Sequence, residues 1–179
     1  MTEWKKFKQG IEGLPFDLER FKVDFLDRDT FKLFCDDLQS VTPCREVCVT
    51  GYFSETIREQ LEKLIIGGRH VRLICPEFPV EAKRDKRNIE ALKKLAKTGA
   101  EIKFNNRMHA RIFAAYMTKT EGVLVLGTFD FNTECIGKER YDAGIKTRHP
   151  DLLSSTIDLF EQLWNDSESI ALEQFLGKS

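Results

Sequence analysis

The sequence predicts an α/β fold in which a mixed β-sheet is flanked by helices on both faces. Three observations predict it. Strand-like and helix-like segments alternate as β-α-β-α-β between residues 47 and 104, a rhythm that argues parallel strands joined by crossover helices. Residues 110 to 126 then change to two apolar runs around a short polar turn, the pattern of an antiparallel hairpin. The chain has 179 residues of which 41% are apolar, enough for one sizeable core.

The first forty residues carry scattered apolar anchors, Trp4, Phe7, Ile11, Leu14 and Phe16, around Gly10, Gly13 and Pro15. They read as an irregular or partly helical arm. Asp29 or Thr30 is the expected cap of a helix whose apolar positions Phe31, Phe34, Cys35 and Leu38 recur every three to four residues, ended by Thr42 and Pro43. Val47 to Tyr52 is a short strand. Ser54 is positioned to cap a helix carrying Ile57, Leu61, Leu64 and Ile65, which Gly67 and Gly68 stop.

Val71 to Cys75 is the second strand, Lys86 to Lys97 a helix with Ile89, Leu92, Leu95 and Ala96 on one face, and Ala100 to Phe104 the third strand. The hairpin strands run from Ala110 to Met117 and from Gly122 to Leu126, and Asp142 to Thr147 forms a further strand. Pro150 suits the first turn of a last long helix holding Leu153, Ile157, Phe160 and Trp164. The division expected is an N-terminal arm and helix over 1–41, a central domain over 42–166 and a C-terminal helical tail over 167–179.

The net charge of −1 gives no overall field for nucleic acid, but its distribution is uneven. Between Lys83 and Arg111 ten Lys/Arg face only Asp85, Glu90 and Glu101, whereas from Asp151 onward six acids face Lys178 alone. This is either a pair of solvated helix faces or a positive surface leading into a phosphate-binding site. The five cysteines form no C-x-x-C pair, and Cys44 and Cys48 have no histidine near them in sequence, so buried reduced thiols are expected rather than a metal centre. The N-terminus lacks the apolar run of a signal peptide, and no stretch approaches the roughly 18 apolar residues of a membrane span. A cytoplasmic protein without a membrane partner is the expectation.

The chemistry concentrates in three short segments: Met108-His109-Ala110-Arg111, then Gly127-Thr128-Phe129-Asp130-Phe131-Asn132, then Arg140-Tyr141-Asp142-Ala143-Gly144-Ile145. Side chains on a strand alternate, so His109 and Arg111 are expected on one face. The returning strand ends in a Gly turn with small polar residues. An imidazole, a guanidinium, a hydroxyl and a carboxylate would thus meet at the sheet's edge, the groups that phosphoryl chemistry needs. Each residue also has a plainer role open to it. His109 would serve as a core histidine, Arg111 as a solvated cation, Thr128 and Asp130 as turn formers, and Asp142 as a partner of Arg140 or Arg111.

These segments resemble the signature of the phospholipase D superfamily, H-x-K-x4-D followed by G-S-x-N and a later Glu. His109 stands at the His position, Arg111 at the Lys, Gly127 at the Gly, Thr128 at the Ser, Asp130 at the Asn and Asp142 at the Glu. The run from Thr50 to Ser54, the segment Gly67 to Ile74 and the segment Leu95 to Ile102 are similar to the family's flanking elements, so the likeness covers roughly residues 42 to 165. The match is degenerate. Tyr116 occupies the motif's Asp position, and only His109 and Gly127 agree letter for letter.

The resemblance implies a phospholipase D-like fold and a metal-independent, nuclease-like phosphodiesterase that forms a phosphohistidine on His109. Because the motif occurs once, it implies a homodimer in which a second chain supplies the second histidine. His70 and His149 read as strand-end and loop residues. Arg111, Thr128, Asp130 and Asp142 complete the expected catalytic set, with Arg107, Gly127 and Tyr116 binding substrate and neither metal nor cofactor required. A nucleic acid or another phosphodiester is the expected ligand. The alternative is a catalytically inactive binding or regulatory module, or a dimer scaffold in a nucleic-acid-processing complex, with turnover lost through Tyr116 and Asp130.

Overall fold

The computed structural model describes residues 23–41, 43–51, 53, 55–77, 83–128 and 142–177. One eight-stranded sheet organises them, in the order β1-β7-β6-β5-β2-β3-β4-β8. Its strands are β1 (Val23–Leu26), β2 (Glu46–Thr50), β3 (His70–Cys75), β4 (Glu101–Phe104), β5 (Arg111–Thr118), β6 (Glu121–Gly127), β7 (Gly144–Thr147) and β8 (Ile170–Ala171). The helices are α1 (Arg28–Asp36), α2 (Glu55–Ile66), α3 (Lys83–Thr98), α4 (Pro150–Trp164) and α5 (Leu172–Gly177), with a 3-10 turn over Leu38–Val41.

Strands β2, β3 and β4 are parallel, joined through the crossover helices α2 and α3, as the alternating pattern requires. The remaining pairings are antiparallel, including the β5–β6 hairpin. Period-two alternation sorts the strand residues between two cores. Val47, Val49, Leu73, Phe113 and Val125 lie on the face covered by Phe31 and Phe34 of α1, Leu61 of α2, Leu92 and Leu95 of α3 and Phe175 of α5. Cys48, Ile74, Ile112, Ala114 and Leu124 lie on the opposite face, covered by Leu153, Ile157, Phe160 and Trp164 of α4. The sheet therefore carries helices on both faces. Phe34 meets Phe113 edge to face at 5.1 Å, which fastens α1 to β5.

Several local expectations change. The cap of α1 is Asp27, not Asp29 or Thr30. Its Oδ1 accepts from the Thr30 amide at 2.9 Å, and the Thr30 hydroxyl accepts from the Asp27 amide at 2.9 Å. Thr30 is thus the other half of a capping box, and the helix starts one turn earlier than its apolar spacing suggests. It also stops at Asp36, so Leu38 belongs to the 3-10 turn that follows.

The sheet extends beyond residues 42 and 166. Segment 23–26 forms edge strand β1 against β7, and Ile170–Ala171 adds β8 to the other edge. Both strands are too short to show an alternation of their own, and their pairing partners lie far away in sequence. Gly68 stops α2 in the left-handed region, at φ +82°, as a C-terminal glycine does. The four described cysteines, Cys35, Cys44, Cys48 and Cys75, are free and buried as expected. Burial pushes the Cys48 thiol up to about 11 and that of Cys35 up to about 12. Cys135 lies outside the described residues.

Candidate active site at one edge of the sheet

The C-terminal ends of the parallel strands define one edge of the sheet. Strand β5 runs against β2, so its first residue, Arg111, lies at this edge beside the end of β2. In register, Arg111 pairs with Gly127 and Gly127 with Gly144, so the start of β5, the end of β6 and the start of β7 meet there. Open α/β sheets commonly place their ligand sites at this edge.

Thr128 follows Gly127 and is held twice by the strand beside it. Its amide donates to the Ala143 carbonyl at 3.0 Å, and its hydroxyl accepts from the Ala143 amide at 3.2 Å. That hydroxyl in turn donates to Asp142 Oδ1 at 2.9 Å. Thr128 and Asp142, fourteen residues apart in sequence, are thus brought into direct contact. Among the described contacts Asp142 has Thr128 as a hydrogen-bond partner, one that the sequence reading did not name. Asp130 and Arg140 lie outside the described residues, as do Tyr52, Phe129 and Phe131.

His109 is exposed and precedes β5 rather than lying within it. Its carbonyl accepts from Arg111 Nη1 at 3.0 Å, so the guanidinium folds back onto the backbone of the residue two positions earlier. Thr50, which the sequence reading passed over, secures the same segment. It is fully buried, and its hydroxyl donates to the Ala110 carbonyl at 2.6 Å and accepts from the Ile112 amide at 3.0 Å. A sequence signal existed: a hydroxyl at the end of an apolar run, just before Gly51, needs partners once buried. Arg107 is on the connection leading to His109, and its guanidinium pairs with Glu168 on the exposed surface.

Tyr116 is not brought to this edge. It lies five positions from Arg111, an odd interval, so the pleat turns it to the face under α4. It is buried near the other end of the sheet, opposite Glu46 at the start of β2. Its hydroxyl accepts from Arg72 Nη2 at 3.2 Å and lies 3.6 Å from Cys48 Sγ. Arg72 continues to Glu161 of α4 and lies over the rings of Phe160 and Trp164. Burial, then Cys48, push the Tyr116 phenol well above its ordinary range, which keeps it neutral. This polar cluster was also missed, although an arginine inside the apolar run Val71-Arg72-Leu73 implies a buried partner.

His70 and His149 are away from His109. His70 opens β3 at the opposite edge, between Glu46 at 2.7 Å and Glu101 at 2.6 Å. His149 precedes α4, beyond the far end of β7. Among the described residues no group of three or more His, Cys, Asp or Glu is placed to hold a metal ion.

No protein-family model matches the sequence, and no curated protein is similar to it. Solved structures are similar in fold. The chain superposes on polyphosphate kinase from Porphyromonas gingivalis with a TM-score of 0.68 at 20% identity, covering 89% of this chain. It spans only 29% of that kinase's length. A phospholipase D family member, Nuc from Salmonella typhimurium, superposes with a TM-score of 0.64 at 13% identity, with 83% of this chain and 95% of Nuc covered. The fold is phospholipase D-like. NucT from Helicobacter pylori supports the same phospholipase D-like architecture, with a TM-score of 0.61 at 13% identity over 84% of this chain and 98% of its own. Within that fold, His109, Arg111, Gly127, Thr128 and Asp142 share one sheet edge, whereas Tyr116 is packed on the far side of β5.

Proposed function

We propose that the protein is a metal-independent phosphodiesterase, nuclease-like, acting through His109 in a site completed by a second copy of the chain. The observation that carries this reading is the convergence of His109, Arg111, Gly127, Thr128 and Asp142 on one edge of a phospholipase D-like sheet. The imidazole of His109 attacks phosphorus, forming a P–N bond as the P–O bond to the leaving group breaks. His109 of the second copy protonates the departing oxygen, then takes a proton from the water that hydrolyses the phosphohistidine. Arg111 offers a planar cation to the non-bridging oxygens, and Arg107 a second once it exchanges Glu168 for phosphate. Asp130 is assigned to the same site from the motif alone.

The substitution of Tyr116 for the motif carboxylate does not argue against turnover, because that position faces the α4 core. Nucleic acid is favoured as substrate by α3. As the crossover from β3 to β4, this helix leads away from the site edge, and it exposes Lys86, Arg87, Lys94 and Lys97 along its length. No described helix is long and apolar enough to cross a membrane.

A second reading, a binding or regulatory module that also serves as a scaffold, is favoured by one contact. The Thr128 hydroxyl already gives its proton to Asp142 and has none left for a phosphate oxygen. The two readings separate on incubation with bis(p-nitrophenyl) phosphate and single-stranded DNA in excess EDTA. EDTA-resistant cleavage lost in His109→Ala supports the enzyme. Clean dimer that binds DNA without cleaving it supports the module, and a monomer at micromolar concentration in light scattering removes the composite site.

A further inference from the structure

The connection from β4 to β5, residues 105–110, carries His109 outside any strand ladder, yet buried side chains hold it at both ends. At the first end Asn105 is fully buried. Its Oδ1 accepts from the Arg107 amide at 2.8 Å, its carbonyl accepts from the Met108 amide at 3.2 Å, and its Nδ2 donates to Ser169 Oγ at 2.8 Å. The Met108 side chain is buried in the core under α4. At the second end is Thr50.

A hydroxyl has one proton and two lone pairs. Thr50 gives its proton to the Ala110 carbonyl and accepts from the Ile112 amide, so its two bonds straddle Arg111, and the first falls on the residue next to His109. His109 is therefore an exposed residue held between a buried Met108 and an Ala110 tied to β2. A reacting group must be held within a fraction of an ångström, and a hydroxyl in the rigid end of a core strand provides that restraint.

We infer that Thr50 is a positioning residue for the proposed reaction: through the backbone of residues 110–112 it sets the directions of the His109 imidazole and the Arg111 guanidinium. It touches no substrate. The kinetic consequence rests on the proposed function, but the geometric one does not, so two readouts are taken on the full chain.

The variants are Thr50→Val, which keeps the shape and removes the hydroxyl, and Thr50→Ser, which keeps the hydroxyl. Thr50→Val is expected to lower kcat for bis(p-nitrophenyl) phosphate in EDTA at least tenfold with KM within twofold, and Thr50→Ser to recover it to within threefold. In proton NMR titrations the His109 Cε1–H resonance, assigned by its loss in His109→Ala, is expected to shift or broaden in Thr50→Val and return in Thr50→Ser. If Thr50→Val does not fold, Thr50→Cys, with its weak donor, carries the same measurements and the same expected direction. A wild-type protein without turnover whose His109 resonance still responds would remove the hydrolysis and leave the positioning in place. An unchanged resonance in the variant lacking the hydroxyl overturns the positioning whatever the turnover, as does a loss that Thr50→Ser fails to recover.

Discussion

Arg72 of β3 clasps Glu161 of α4 with two hydrogen bonds, 2.6 Å and 3.1 Å long, under the stacked rings of Phe160 and Trp164. Burial is the largest single influence on this arginine and works against its charge. Glu161 and its other neighbours outweigh it and raise the guanidinium further above its ordinary value. The pair joins the sheet to α4, the helix whose apolar side chains cover this face. Removing one partner leaves the other half-desolvated and without its counter-charge. Glu161→Ala is expected to cost about 2–3 kcal/mol in urea denaturation, below the range for a fully buried pair because Glu161 is partly exposed. The double variant Arg72→Met/Glu161→Leu should recover most of that loss, since apolar side chains of similar size need no counter-charge.

Tyr116 adds to the same cluster a hydrogen bond accepted from the charged Arg72 guanidinium, and nothing to the site edge. Tyr116→Phe is expected to lower stability by about 1.5–3 kcal/mol, the usual range for one bond to a charged group. KM for bis(p-nitrophenyl) phosphate should stay within twofold of wild type. A KM raised fivefold or more at unchanged stability would return Tyr116 to the substrate-binding set.

His70 ties together the first residues of three parallel strands by bridging Glu46 and Glu101. Burial alone would lower its pKa, but the hydrogen bonds its charged ring donates to Glu101 and Glu46 outweigh burial and raise it above the ordinary 6.5. A histidine raised in the folded state contributes stability that is fully present below its unfolded value and is lost as pH rises through the folded value. Denaturation from pH 6 upward should therefore show a decline of about 0.5–1 kcal/mol, kept small by solvent screening. Glu46→Gln and Glu101→Gln should each flatten that decline.

The exposed basic positions of α3 give the nucleic-acid reading a quantitative test. Replacing Lys86, Arg87, Lys94 and Lys97 with Gln should weaken single-stranded DNA binding at least tenfold at low salt. The slope of log affinity against log salt should fall by up to about 3, because each phosphate contact on a single strand contributes about 0.7. Hydrolysis of bis(p-nitrophenyl) phosphate, too small to reach α3, should change less than twofold. An unchanged salt slope would place the DNA contact elsewhere.

The sequence alone determined the elements whose signals are local. The run of parallel strands and crossover helices, the β5–β6 hairpin and the apolar face of α4 follow from periodicity and from glycine and proline stops within a dozen residues of each other. The meeting of Arg111 with Gly127 at the site edge was legible because a known spacing carried it. Even the removal of Tyr116 from the site was implicit, since five positions along a strand reverse the face.

Tertiary structure alone decided what depends on partners distant in the chain. Strands β1 and β8 exist because β7 and β4 offer open edges, not because four or two residues prefer extension. Thr50 reaches Ala110, Arg72 reaches Glu161 and Asn105 reaches Ser169 across intervals of 60, 89 and 64 residues. A buried polar side chain announces in sequence that it needs a partner, but which one it finds is set by how the sheet brings distant strands and helices together.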